Sequence, residues 1–302
     1  MKSSDNRITR RTMLSRSACI AGVSGGWLVD GSSLSPLFAA PESRGFKIGA
    51  CEWSLGKADP SCFDVAKEIG LDGVQVDLGK PSDGMRMLKP EIQKAYLASA
   101  KRTGLEIASL AMAVMNSIPL KRDPRAAKWL DQSIDVCKAL GITLTMPALF
   151  HHGNLDMKKT KEIDHLVEVI KNVTPKAEKA GVTIALENYL SAKDNMKIIE
   201  RIGSPCVKVY YDVGNSTDKG HDIYTEIREL GKHGLLCEFH VKDSRFVLGR
   251  DKGRVDFKKV RQAMDDVDYR GWVQLESAHP KGVVADYRYS CEQLRKIFPR
   301  TI

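Results

Sequence analysis

From residue 46 onward, short runs of nearly unbroken apolar character alternate with longer stretches in which apolar residues recur every three or four positions. The runs are FKIGACEW (46–53), GVQVDLG (73–79), EIASLAM (106–112), ITLTMPAL (142–149), VTIALEN (182–188), VKVYYDVGN (207–215), LLCEFHVKD (235–243) and WVQLES (272–277). Continuous rather than alternating hydrophobicity marks strands buried on both faces, as in parallel sheets. The stretches between them read as helices with start and stop signals. PSCFDVAKEIG opens on a proline and closes at Gly70, and the next helices close at Gly104, Gly141, Gly181 and Gly203. DIYTEIRELGKHG ends at Gly231 or Gly234, and VDFKKVRQAMDD and DYRYSCEQLRKIF complete the series. Pro175 is expected to kink or break its helix, because it brings no N–H to the preceding turn.

Eight strand–helix units in roughly 260 residues predict an α/β fold of the (β/α)8 TIM-barrel type. A doubly wound open sheet is the alternative. It usually needs fewer strands, and its phosphate fingerprint G-x-G-x-x-G is missing after the first strand.

Composition adds little to this and excludes one class. The 302 residues are 42% hydrophobic and 28% charged, the proportions of a soluble globular protein. No run approaches the ~18 apolar residues of a membrane span, so stable membrane insertion is not expected. The net charge of +9 favours anionic ligands such as phosphates, acidic sugars or nucleic acid, although a solvated basic surface is the simpler account. Cys51, Cys62, Cys137, Cys206, Cys237 and Cys291 form no CxxC pair and read as free buried thiols.

The amino terminus reads as an address. ITRRTMLSRSACIAGVSGGWLV sets Arg10 and Arg11 before a weakly apolar segment, and LFAAPES supplies small residues for cleavage. Thr9, Arg10, Arg11, Met13 and Leu14 resemble a bacterial twin-arginine export signal. The resemblance implies an export signal and linker over residues 1–44 and a barrel over 45–302. It also implies contact with the export machinery and a periplasmic or otherwise exported location. That route carries folded proteins, which suits one that must take up a metal first.

Barrel enzymes gather their chemistry at the carboxyl ends of the strands. Four late strands end in metal-ligand types there: Glu187, Asp212, His240 and Glu276. A single acid at a strand end ordinarily caps a helix or joins an ion pair, but four such residues on consecutive strands form a metal-site pattern. Alternation places Glu238, His240 and Lys242 on one face of strand seven, with Lys242 at the rim. Carboxylates with one imidazole suit Mn²⁺, Mg²⁺ or Co²⁺, and Zn²⁺ is also accepted by such a set. Open coordination positions let a substrate chelate through adjacent oxygens.

The segments ALENY, YYDVGNS, FHVKDS and VQLES resemble the sugar isomerase/epimerase branch of the xylose-isomerase-like barrel superfamily. The likeness spans about residues 46–298, and the loop LGRDKGRVDF is similar to a Gly-rich segment of that branch. It implies that Glu187, Asp212, His240 and Glu276 hold one divalent ion, Mn²⁺ first among the candidates. The expected activity is isomerisation or epimerisation of a keto sugar or sugar derivative through a metal-stabilised enediolate. Glu187 and Glu276 would remove and return the proton. Lys242 is expected to face substrate oxygens or a phosphate. Asn188 and Asn215 are expected to bond sugar hydroxyls or orient the ligands. His151, Glu52 and Trp53 complete the candidate substrate contacts. Gln75 and Asp77 end strand two with orientation open. His152 and His279 read as loop residues, and His165, His221 and His233 as surface residues on helical segments.

Two positions depart from the family. Ketose epimerases of this branch carry a His three residues after the metal Asp, where this chain has Asn215. Many relatives carry a second His two residues before the metal His, where this chain has Glu238. A buried carboxylate there calls for a partner such as Lys242 or Lys208. Three other functions compete. An apurinic-endonuclease-like nuclease would need several strand-end histidines, and strands two and three offer none, so no nucleic-acid partner is expected. A 3-keto-glycoside lyase would use the same residues to expel an aglycone. A non-catalytic sugar-binding barrel would keep the pocket alone. Homo-oligomer formation stays open.

Overall fold

In the computed structural model of the protein, residues 45–243, 246–250 and 252–301 are described. The proposed export signal therefore lies outside the described residues. Eight parallel strands close on themselves in chain order: β1 (Lys47–Cys51), β2 (Gly73–Asp77), β3 (Glu106–Met112), β4 (Leu144–Leu149), β5 (Thr183–Asn188), β6 (Val207–Asp212), β7 (Leu236–Val241) and β8 (Trp272–Leu275). The seam between β1 and β8 is in register from Lys47 opposite Trp272 to Ala50 opposite Leu275. The expected (β/α)8 TIM barrel is what forms.

Helices α1 (Cys62–Ile69), α2 (Pro90–Thr103), α3 (Pro124–Leu140), α4 (Thr160–Ala180), α5 (Ala192–Ile202), α6 (Val213–Asp218), α7 (Ile223–Lys232), α8 (Phe257–Asp265) and α9 (Val283–Ile297) lie between and after the strands. The main core, with Phe63, Ile134, Ile170, Ile198, Ile227 and Leu294 among its buried side chains, joins the helices to the strands. A smaller apolar cluster contains Ala111, Met146, Ala148, Ala185 and Tyr210, with Tyr189 packed against it.

Two local outcomes differ from the pattern reading, and a third settles an alternative it left open. Pro175 does not break α4, which runs unbroken past it. The proline would leave the Lys171 carbonyl without its helical donor, and the Thr174 hydroxyl donates to that carbonyl at 2.9 Å instead. The run 207–215 is strand only to Asp212. Asp212 Oδ1 accepts from the Gly214 and Asn215 backbone N–H groups, both at 2.9 Å, and so starts α6 as its N-cap. α7 passes through Gly231, and Gly234, at φ 68°, lies in the turn after it.

Backbone without a side chain matters inside the barrel at Gly49. A Cβ on Gly49 would collide with the Gln274 amide, so glycine on β1 leaves room for a polar side chain crossing from β8.

Candidate metal centre

Strands β5, β6 and β7 bring Glu187, Asp212 and His240 together at the carboxyl end of the barrel. One ligand atom from each lies within 4.8 Å of the others. His240 points inward, as alternation along β7 requires. Its Nδ1 is 2.7 Å from Glu187 Oε1 and 3.7 Å from both Asp212 Oδ2 and Glu276 Oε2. All four expected ligands therefore converge on one imidazole nitrogen. Glu276 follows the last residue of β8, and its backbone N–H still meets the Val241 carbonyl at 3.3 Å.

Asp212 divides its labour. Oδ1 caps α6, whereas Oδ2 is buried without a well-formed hydrogen bond, with Lys242 Nζ at 2.8 Å. The same ammonium lies 2.7 Å from Glu276 Oε2. Burial alone would raise the Asp212 carboxyl, but Lys242 and His240 outweigh it and hold the group at about 2. Lys242 is held well above its ordinary value, because Asp212, Glu276 and Glu187 outweigh the cost of its burial. Glu187 goes the other way: burial pushes it above the usual carboxylate range, against the pull of His240. An oxygen-rich set with one imidazole and an under-bonded buried carboxylate oxygen fits a divalent cation. Glu187, Asp212, His240 and Glu276 are the residues that would hold it.

The cavity above this cluster has a volume of about 310 Å³. Trp53, His151, Asn215 and Lys242 line it, as expected from sequence. Trp53 is 37% exposed, and its indole N–H donates to Glu276 Oε1 at 3.0 Å. His151 takes a left-handed backbone conformation, φ 48°, at the end of β4.

Glu52 and Asn188 do not reach the cavity. Cys51 is the inward residue at the end of β1, with Sγ 3.3 Å from His240 Nε2, so Glu52 turns to the outer side. There it accepts from the Asp77 N–H at 3.0 Å, from Tyr96 OH at 2.7 Å and from Arg86. Glu187 is likewise inward, so Asn188 turns outward. It bonds Asn195 at 2.8 Å and accepts from the Leu190 N–H at 2.8 Å, fixing the turn into α5. Asp77 also faces out, accepting from Ala113 N–H at 3.0 Å. Gln75 faces in, with Oε1 2.9 Å from His240 Nε2.

Lys208 and Lys242 are not the partners of Glu238. Its Oε1 accepts from Ser109 Oγ at 2.9 Å, Tyr210 OH at 3.1 Å and Gln274 Nε2 at 2.7 Å. His165 and His233 are exposed, as is His279 beside the Tyr287 ring. His221 is half-buried rather than on the surface, its Nε2 3.2 Å from the Tyr189 carbonyl.

Residues not anticipated from sequence form the apolar wall: Ala113, Met146, Ala148, Phe150 and Tyr189. The Phe150 and Tyr189 rings pack with centroids 4.5 Å apart, tilted by 51°. Phe150 follows β4 and Tyr189 follows β5, the positions where barrel enzymes place binding groups, and that placement was the available signal.

The six described cysteines are free, with Cys206 and Cys237 only half-buried. Burial pushes the Cys51 thiol up to about 12. As the thiolate is the nucleophile, Cys51 should resist iodoacetamide in the native protein at neutral pH and react after unfolding. Peptide mapping of labelled protein checks this, and labelling of Cys51 at the rate of an exposed thiol would contradict it.

A family model described as xylose isomerase-like TIM barrel matches residues 63–297. The chain is 25% identical over 201 residues to a 2-epi-5-epi-valiolone 7-phosphate 2-epimerase of Actinoplanes sp., covering 65% of this chain and 72% of that protein. It is 22% identical over 231 residues to an L-ribulose-5-phosphate 3-epimerase of Salmonella typhi, covering 70% of this chain and 79% of that one. Among solved structures, D-psicose 3-epimerase from Clostridium cellulolyticum H10 superposes with a TM-score of 0.69 at 17% identity, over 83% of this chain and 99% of that one. The E. coli 3-keto-D-glucoside 4-epimerase gives 0.66 at 16% identity, over 83% and 99%. At those identities the superpositions show the shared fold.

Proposed function

The chain belongs to the xylose isomerase-like TIM barrel family, and from that premise we propose that it is a divalent-metal-dependent sugar epimerase or isomerase. The observation that carries this reading is the convergence of Glu187, Asp212, Glu276 and His240 beneath an open cavity with polar and apolar walls. The curated relatives named above are sugar-type epimerases, and they support the same class.

When bound, a divalent cation would hold a carbonyl and an adjacent hydroxyl oxygen and stabilise the charge that develops as a proton leaves carbon. The protein's own groups do the rest. Glu187 stands on β5 and Glu276 at the end of β8, so their carboxylates meet the cavity from different sides of the barrel. One takes the proton from the substrate carbon and the other returns one. Return to the opposite face of the same carbon inverts it, and return to the neighbouring carbon, with the hydroxyl proton passed to the former carbonyl oxygen, moves the carbonyl. Lys242 spans Asp212 and Glu276 and directs its positive charge toward substrate oxygens. Trp53 holds Glu276 Oε1 by its indole N–H and walls the cavity. Asn215, at the start of α6, presents an amide to hydroxyl groups. The outward positions of Glu52 and Asn188 remove them from this list.

The test is solvent isotope exchange. Protein beginning near residue 45 and loaded with Mn²⁺ should move deuterium from D₂O onto carbon of a keto sugar within a panel of free and phosphorylated ketoses. Exchange with recovery of an epimer or isomer supports the reading. Release of an aglycone from a 3-keto-glycoside would instead establish elimination at the same site. Binding with no exchange on any member would contradict an enzyme. The twin arginines at 10 and 11 further support export of the chain, and Arg10→Lys/Arg11→Lys should retain the full-length protein in the cytoplasm on fractionation.

Trp53→Phe keeps the ring and removes one hydrogen bond to a charged group, a loss of about 1.5 kcal/mol at this half-exposed position. Turnover should fall about tenfold with little change in KM. A change confined to KM would assign Trp53 to substrate contact alone.

A further inference from the structure

Beneath the metal cluster runs a buried layer of polar side chains that the proton-transfer chemistry does not use. Glu238, Ser109, Tyr210, Gln75 and Gln274 are each almost wholly buried. No described lysine pairs with Glu238, whose partners are neutral. Its role emerges from the direction of the hydrogen bonds.

Ser109 and Tyr210 each own a single hydroxyl proton, and each gives it to Glu238 Oε1, at 2.9 and 3.1 Å. Gln274 Nε2 donates to the same oxygen at 2.7 Å. With their protons committed, Ser109 Oγ and Tyr210 OH can only accept from Gln75. The Gln75 amide nitrogen faces both, at 3.0 and 3.1 Å. The Gln75 carbonyl oxygen must then face the other way, where it lies 2.9 Å from His240 Nε2. A carbonyl oxygen accepts and never donates, so His240 Nε2 carries the proton. The Cys51 thiol, 3.4 Å from the same Gln75 oxygen, fits as a second donor. His240 Nδ1 shares a proton with Glu187 Oε1 at 2.7 Å, and once a metal displaces that proton it is the nitrogen that offers a lone pair, among Glu187, Asp212 and Glu276.

We propose that Glu238 is a positioning residue: through Ser109, Tyr210 and Gln75 it fixes the His240 tautomer that offers Nδ1 to a metal. This rests on the metal reading above. Glu238 Oε1 stays an acceptor in either charge state of the carboxyl, so the device does not depend on ionisation. Without that acceptor, the two hydroxyls can donate to Gln75 instead, its amide can reverse, and Nε2 loses the oxygen that holds its proton. Partners of this kind to a ligating His typically affect metal affinity by ~10–100-fold.

The experiment uses ¹⁵N-labelled protein titrated with Zn²⁺, chosen because it is diamagnetic. Two-bond ¹⁵N–¹H spectra of the imidazoles should show one histidine with metal on Nδ1 and a slowly exchanging proton on Nε2. Zn²⁺ affinity is read by chelator competition, and folding by thermal melting of the metal-free forms. Glu238→Met should weaken Zn²⁺ binding ~10–100-fold and lose the slow Nε2 proton. Ser109→Ala/Tyr210→Phe, which keeps Glu238 and cuts the relay, should do the same. Glu238→Gln, whose amide oxygen accepts the same three bonds, should keep parental affinity. Metal on Nε2 in the parent protein would overturn the proposal without any variant, as would parental affinity and tautomer in folded Glu238→Met. A parent that binds no Zn²⁺ or Mn²⁺ would instead overturn the metal reading beneath it.

Discussion

Replacing Glu276 by Gln should lower isotope exchange at the substrate carbon by about 10²–10⁴-fold, the range for losing a general acid or base. The change is isosteric, and the amide oxygen can still accept from Lys242 or Trp53. It removes the basic oxygen proposed to take or return the proton. Of the four clustered residues Glu276 has the most exposed side chain, 24% against 1–3% for Glu187, Asp212 and His240. The remaining three still place one ligand atom each within 4.8 Å of one another. A substantial share of the metal should therefore survive in this variant while exchange is lost. NMR detection of deuterium incorporation, paired with metal analysis of the same sample, reads both quantities. Loss of exchange with metal retained assigns Glu276 to proton transfer. Undiminished exchange would contradict that role.

Lys242→Met should produce the largest effect on stability. The ammonium lies 2.8 Å from Asp212 Oδ2 and 2.7 Å from Glu276 Oε2, and its side chain is 13% exposed. Removing one partner of a buried ion pair leaves the other charge uncompensated, at a cost of about 3–5 kcal/mol. Metal-free Lys242→Met should be destabilised by about that much in chemical denaturation. Added Mn²⁺, a replacement positive charge at the same carboxylates, should restore a large part of it. The pH dependence has a definite sign. Asp212 is held at about 2, with burial opposing and Lys242 and His240 prevailing. A carboxyl whose folded-state pKa is depressed contributes stability above its unfolded value of about 3.9, and that contribution disappears as pH falls toward the folded one. The gap between parent and variant should therefore close as pH drops from about 4 toward about 2. A pH-independent gap, or equal stabilities with chelator present, would contradict the role assigned to Lys242.

Much of this was legible in the sequence because burial on two faces leaves a plain record. Strands such as Leu144–Leu149 and Thr183–Asn188 have almost no exposed position, and an unbroken apolar run is what that environment demands. The clustered residues were legible for a related reason. Glu187, Asp212, His240 and Glu276 are ionisable residues at the ends of such runs, where ordinary packing does not call for them.

What failed was orientation at strand ends. Glu52 and Asn188 are each one residue beyond an inward-facing neighbour, and a one-residue step sends a side chain to the opposite face. Glu52 gave no local sign that Arg86 and Tyr96, far along the chain, would receive it. Asp212 was weighed as a ligand against a helix cap, yet Oδ1 caps α6 while Oδ2 faces Lys242 and His240, which no residue-level choice anticipates. Pro175 misled for a different reason: the helix continues because Thr174 supplies a donor from its side chain. The partners of Glu238 come from β3, β6 and β8, so their contact is a property of barrel closure.

The most direct measurement is metal per chain, by mass spectrometry, on protein beginning near residue 45 and on its Glu187→Gln/His240→Ala variant. Close to one divalent ion per chain in the parent, lost from the variant while the fold persists, is the expected result. A parent that binds no ion after Mn²⁺ is supplied, or a variant that keeps it, would contradict a metal centre built from these residues.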